Sequence, residues 1–200
     1  MRIASHNTFT YLPVRKWWMK PLAFSARCQR VSVVTQYEAG ARMFDIRLRY
    51  DNIGIGYLCH GLIEYEHPVD FIYDVLDLLD KYGDCYVRMV LETTKPDEVQ
   101  EIYFRQDCKR FSERFKHIKF IGGNNRTDWL CEHPIYEFST PLPSIDNQYA
   151  SSTSRFDCPS KVLRYIDDLY PLDYAKKYNH KILEKGTTFS WLMIDFVDIQ

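Results

Sequence analysis

The segment Ala41–Tyr50, ARMFDIRLRY, constrains the fold more than any other stretch of the chain. It alternates with period two, so Phe44, Ile46 and Leu48 share one face of a strand while Met43, Asp45, Arg47 and Arg49 share the other. One face is suited to a hydrophobic core. The other gathers charge that is tolerated in an interior only when it is paired or put to use, since an unpaired buried ion is severely penalised. Such a strand fits a sheet with helices packed outside and a polar interior. From the alternation alone, Asp45 and Arg47 read equally as an internal ion pair that props up the fold and as part of a chemical site.

The rest of the chain alternates short apolar runs with longer amphipathic ones. Arg2–Ser5 predicts a strand ending at His6, and Ser25–Glu38 predicts a helix closed by Gly40. Ile53–Cys59 predicts a strand that delivers His60 and Gly61. Val69–Tyr82 predicts an amphipathic helix, Cys85–Leu91 a strand, and Pro96 the start of a helix to about Phe115. His117–Ile121 predicts a strand stopped by Gly122-Gly123-Asn124-Asn125, and Trp129–Ser154 reads as irregular. Helices are expected at Ser160–Leu169 and Leu172–Glu184, and Phe189–Val197 closes the chain as an apolar strand. This alternation predicts one α/β domain over 1–200, a parallel sheet covered by helices. His6, Arg47, His60 and Glu92 all fall at strand ends, where both barrels and doubly wound sheets collect their sites.

A formal net charge of −1 gives no general attraction to nucleic acid or to an anionic membrane, so no nucleic-acid partner is expected and membrane contact has to be local. No apolar run approaches the roughly 20 residues that span a bilayer, and MRIASHNTFTYL lacks an apolar leader. A cytoplasmic or peripheral membrane location and a monomer are the expectations. The six cysteines contain no CxxC pair, which suits reduced structural thiols and argues against a zinc site of clustered ligands. Arg15-Lys16-Trp17-Trp18-Met19-Lys20 sets tryptophans among cations, a composition suited to a membrane interface and equally to a loop packed over the end of the sheet.

Two histidines, an aspartate and an arginine at strand ends suit phosphodiester cleavage. A base takes a proton from the nucleophile, a cation offsets the charge on phosphorus, and an acid protonates the leaving oxygen. Ser5-His6-Asn7-Thr8, then Gln36-Tyr37-Glu38-Ala39-Gly40-Ala41-Arg42-Met43-Phe44-Asp45-Ile46-Arg47, then His60-Gly61, resemble the X region of phosphatidylinositol-specific phospholipases C, nearest the bacterial calcium-free branch. Trp191-Leu192-Met193-Ile194-Asp195-Phe196 resembles that branch's last barrel strand. The resemblance implies a distorted or incomplete (β/α)8 barrel acting on a phospholipid or inositol phosphate. It implies His6 as the base for the inositol 2-hydroxyl, oriented by Asp195, and His60 as the acid, supported by Asp45. It gives Arg47 to the phosphate, Tyr149 to the inositol ring, Asn7 and Glu92 to the substrate side of the site, and Trp17 and Trp18 to the membrane.

The resemblance further implies that no metal is needed. In the eukaryotic branch calcium takes a second carboxylate where this chain has Arg47, and a guanidinium there repels a divalent ion while supplying the same countercharge. The chain departs from the bacterial pattern at Asn7, where an aspartate is expected, at Glu92, in place of a lysine, and at Gly122-Gly123, where an arginine is expected. The segment between Tyr170 and Thr188 is also short for a full seventh strand, and these departures fall mostly on substrate recognition, with Asn7 weakening the support expected for His60. Two alternatives stand beside the phospholipase reading: a glycerophosphodiesterase, against which Ser5-His6-Asn7 and Arg47 argue, and a non-catalytic lipid or sugar-phosphate binder on the same barrel.

Overall fold

The computed structural model describes residues 1–93, 97–127, 130–148, 162, 169–185 and 188–200. Strands β1 (Arg2–Ser5) and β2 (Ala41–Tyr50) are parallel neighbours. β3 (Gly56–His60) and β4 (Ile63–Pro68) form an antiparallel hairpin that extends the end of β2. β5 (Tyr86–Glu92) lies parallel to β2, β6 (Lys119–Thr127) parallel to β5, and β7 (Leu130–Pro134) turns back on β6. β8 (Ile145–Gln148) and β9 (Trp191–Ile194) complete the other side, β9 lying parallel to β1. The order is β7-β6-β5-β2-β1-β9-β8, a curled sheet that stays open between β7 and β8 among the described residues.

The period-two alternation read from β2 holds. Phe44, Ile46 and Leu48 join Val87, Met89, Leu91, Leu192 and Ile194 in the outer core, against α3 (Phe71–Tyr82), α4 (Glu98–Arg114) and α5 (Pro171–Lys185). Inside the curl, Ala4, Met43, Ile121, Trp191 and Met193 make a small apolar plug. The next inward positions along these same strands are His6, Asp45 and Asp195. Each lies two residues beyond a plug residue, so a floor of apolar side chains carries a layer of charge.

Several expectations are corrected. The single helix over Ser25–Glu38 is two short ones, α1 (Ala23–Ala26) and α2 (Val33–Glu38), because the intervening chain is drawn extended into the top of the sheet by Cys28 and Gln29. His60 arrives on an antiparallel hairpin rather than on a parallel strand. Gly122 and Gly123 do not stop β6. They bulge it, with φ of 90° and 76°, and a Cβ at Gly123 would stand 2.0 Å from the Tyr136 carbonyl oxygen. The stretch expected to be irregular contains β7 and β8. The helix expected at Ser160–Leu169 falls mostly outside the described residues, as do Pro96 and Tyr149.

Candidate active site

Buried amides shape the rim of the sheet before any charged group is placed. Gln29 donates from Nε2 to the carbonyls of His6 (3.1 Å) and Ile194 (3.2 Å) and accepts from the Val197 N–H (3.1 Å). Gln36 donates to the Thr8 and Val31 carbonyls (2.9 and 2.8 Å) and accepts from Ser5 Oγ (2.6 Å). Asn179 of α5 donates to the Asp195 carbonyl at 2.8 Å. Buried loop backbone must find partners, and these side chains supply them by tying the loop after β1 to the loop after β9. His6 and Asp195 are thereby brought together.

His6 Nδ1 lies 2.6 Å from Asp195 Oδ1, and its Nε2 lies 2.9 Å from Arg47 Nη2. A guanidinium has only donors, so Nε2 accepts and the ring proton sits on Nδ1, facing the carboxylate. Arg47 also donates from Nε to Asp45 Oδ2 (2.9 Å) and from Nη1 to Glu92 Oε2 (2.8 Å). Arg88 Nη1 reaches Asp45 Oδ1 at 2.8 Å, and the Asn7 N–H donates to Asp45 Oδ2 at 3.2 Å. Burial would raise the Asp45 carboxyl, but the charges of Arg47 and Arg88 outweigh it and hold the group down at about 2.

The His60 ring stands 5.7 Å from that of His6, edge to face. Its Nδ1 lies 2.8 Å from the Ala26 carbonyl oxygen and 3.5 Å from Cys28 Sγ. Burial first, and then the Asp195 charge, push the Cys28 thiol well up, so it is held as a neutral thiol. Glu92 Oε1 accepts from the Gly61 N–H at 2.7 Å, tying the tip of the β3–β4 hairpin to β5.

The structure thus gathers His6, Asp45, Arg47, His60 and Asp195, with Asn7 and Glu92 beside them, at one end of the sheet. It reassigns one support. Asp45 serves Arg47, Arg88 and the Asn7 backbone, not His60, whose Nδ1 faces the Ala26 carbonyl and Cys28. Glu92 clamps Arg47 and Gly61. Tyr149 lies outside the described residues. Trp17 and Trp18, 77% and 57% exposed, sit on a 3-10 helix (Trp17–Leu22) in the excursion that follows β1. Sequence reading missed Arg88, although it shares its parity with Glu92 along β5 and alternation points it inward. Gln29 and Cys28 carried no site signal, because each lies outside any periodic strand, and Gln36 entered only as the first residue of the motif that runs into β2.

A calcium ion needs carboxylate oxygens, and here both oxygens of Asp45 and both of Glu92 already accept from arginine or backbone donors. The oxygen set does not fit a divalent cation.

No family model matches the chain, and no curated protein matches it by sequence. Solved structures do. A phosphatidylinositol-specific phospholipase C from Listeria monocytogenes aligns with a TM-score of 0.61 at 16% identity, over 98% of this chain and 87% of that one. A mutant of the corresponding Staphylococcus aureus protein aligns with a TM-score of 0.62 at 17% identity, over 98% and 84%. A further S. aureus structure, described by modulation of that protein's membrane binding, gives 0.58 at 15% identity, over 98% and 85%. With charge layered on an apolar floor, and with these alignments running almost end to end, the chain has the fold of the bacterial phosphatidylinositol-specific phospholipases C, a distorted and incomplete (β/α)8 barrel.

Proposed function

We propose that the chain is a metal-independent phosphodiesterase that cleaves phosphatidylinositol-type lipids to diacylglycerol and a cyclic inositol phosphate. One observation carries the reading. A carboxylate-oriented imidazole with its Nε2 lone pair facing a guanidinium, and a second imidazole ring centred within 6 Å of it, bring a base, a cation and an acid together. In the proposed reaction the substrate's 2-hydroxyl takes the place of Arg47 Nη2 at His6 Nε2 and gives up its proton there. The freed hydroxyl oxygen attacks phosphorus, Arg47 offsets the charge that builds on the phosphoryl oxygens, and the bond to the glycerol oxygen breaks. His60 gives that oxygen a proton and leaves diacylglycerol. Asp195 steadies the imidazolium formed on His6, as the carboxylate of a catalytic triad does.

Arg47 supplies the countercharge that calcium would otherwise bring, and the commitment of Asp45 and Glu92 to arginine and backbone donors supports a reaction without metal. The likeness to a protein whose membrane binding has been modulated supports membrane docking through Trp17 and Trp18. Exposed Leu22 and Phe24 extend their apolar surface. Among the described residues no helix is long and apolar enough to cross a membrane. Release of water-soluble product from head-group-labelled phosphatidylinositol, undiminished by chelator, is the expected result. Hydrolysis that vanishes with chelator and returns with calcium overturns the metal-free reaction. Full stoichiometric binding of the lipid with no turnover points instead to a binding protein on this barrel.

A further inference from the structure

We infer that His6, His60 and Cys28 form a binding site for a soft divalent cation such as Zn2+, and that the ion switches the acid–base pair off. One donor atom from each of the three lies within 4.8 Å of the other two, and all three residues are buried. Tetrahedral zinc with bonds of about 2.0–2.3 Å holds its nitrogen and sulfur ligands roughly 3.3–3.7 Å apart. Cys28 Sγ and His60 Nδ1 already stand at 3.5 Å. Small side-chain rotations bring in the third ligand.

Two features favour the site beyond proximity. His6 is held through Nδ1 by Asp195, the outer carboxylate that typically orients a metal-bound imidazole and leaves Nε2 as the ligand. Asn7, 2% exposed, places its amide between two of the ligands, with Nδ2 3.0 Å from His6 Nε2 and 3.8 Å from Cys28 Sγ. The oxygen of that amide, Oδ1, is buried with no hydrogen-bond partner. A turn of the amide presents this oxygen as a fourth ligand.

The charges agree. Among the groups linked to His6 and Arg47, Asp45, Glu92 and Asp195 bring three negative charges, and Arg47 and Arg88 two positive. Zn2+ entering as one thiol proton leaves adds a single positive charge, which balances the cluster. Coordination exchanges the Arg47 and Asn7 contacts at His6 Nε2, and the Ala26 contact at His60 Nδ1, for bonds to the ion. The proposed base and acid are both occupied, so the ion inhibits.

Cobalt(II) reports the site without any substrate, which keeps it independent of the phosphodiesterase reading. Added to metal-free protein, it is expected to give one equivalent of binding, a thiolate-to-cobalt charge-transfer band and the intense visible bands of tetrahedral cobalt. Cys28→Ser should abolish the charge-transfer band, and His60→Asn should weaken binding at least tenfold, with far-ultraviolet circular dichroism confirming folding. No charge-transfer band in the wild type, or a band that survives Cys28→Ser, overturns the site. Zinc should inhibit lipid hydrolysis and chelator should restore it. Binding at Cys28 with full activity overturns the switch, whereas metal-free protein with no hydrolysis counts against the phosphodiesterase reading and leaves the spectrum to decide the site.

Discussion

Arg47 is the residue on which most of the site converges, and its planar fork makes three contacts that a lysine ammonium has no geometry to reproduce together. Its Nε, Nη1 and Nη2 point at Asp45, Glu92 and His6 in three directions fixed by one rigid group. Arg47→Ala is expected to lower kcat by about 10²–10³-fold, the scale of a single charge-stabilising donor, and Arg47→Lys to recover little of it. The two histidines divide differently. A nitrophenyl phosphodiester has a leaving group that needs no proton, so His60→Ala should be far less impaired on it than on lipid, while His6→Ala stays poor on both. Equal damage by both variants on both substrates refutes the assignment. The Asp45 carboxyl is depressed in the folded state. Its contribution is complete above the unfolded value near 3.8 and is lost as pH falls toward about 2. The gap corresponds to about 2 kcal/mol, read as a fall in the urea midpoint across that acid window and by a carboxyl carbon resonance that stays in its ionised position to about pH 3.

The elements that place these residues are held by amides. Gln29→Ala strands the His6 and Ile194 carbonyls and the Val197 N–H in a buried rim. A loss of about 2–4 kcal/mol in urea unfolding is expected, with kcat falling and KM little changed, because positioning rather than binding is harmed. The strands were legible in the sequence where period two holds. Ala41–Tyr50 is a strand over that same span, and its inward set contains the charges. Arg2–Ser5 was equally clear. Legibility failed where a local rule was overridden from afar. The glycines of β6 read as a stop because nothing nearby shows that Tyr136 needs their bare backbone. The break between α1 and α2 was hidden because nothing local marks it: Cys28 and Gln29 are held by partners near the opposite end of the chain, at Phe196, Ile194 and Val197. The carboxylate support assigned to His60 failed for the same reason: only the fold reveals Arg88 as the second claimant on Asp45, and a carbonyl on α1 as the partner of His60.

Taken whole, the molecule presents its reactive end and its exposed aromatics through segments that follow the same strand, β1. Arg15 and Lys16 are tied to Glu64 at 3.0 and 3.1 Å, which anchors the base of the Trp17–Trp18 projection to the hairpin carrying His60. The Trp17→Ala, Trp18→Ala double variant is expected to lose at least tenfold in partitioning to phosphatidylinositol vesicles, while its hydrolysis of a soluble phosphodiester is unchanged. Equal partitioning in a sedimentation assay refutes docking through this segment. The coupling of His6 to Asp195 has a further consequence, one of timing. The two residues stand 189 positions apart, on strands that neighbour each other in the sheet. During synthesis the first strand leaves the ribosome long before its partner exists, and contacts of such long range form late. A growing chain can therefore carry His6, Arg47 and His60 in place and still lack an oriented base. On the proposed reading, cleavage of lipid begins only once the segment that carries Asp195 has emerged and docked beside the first strand.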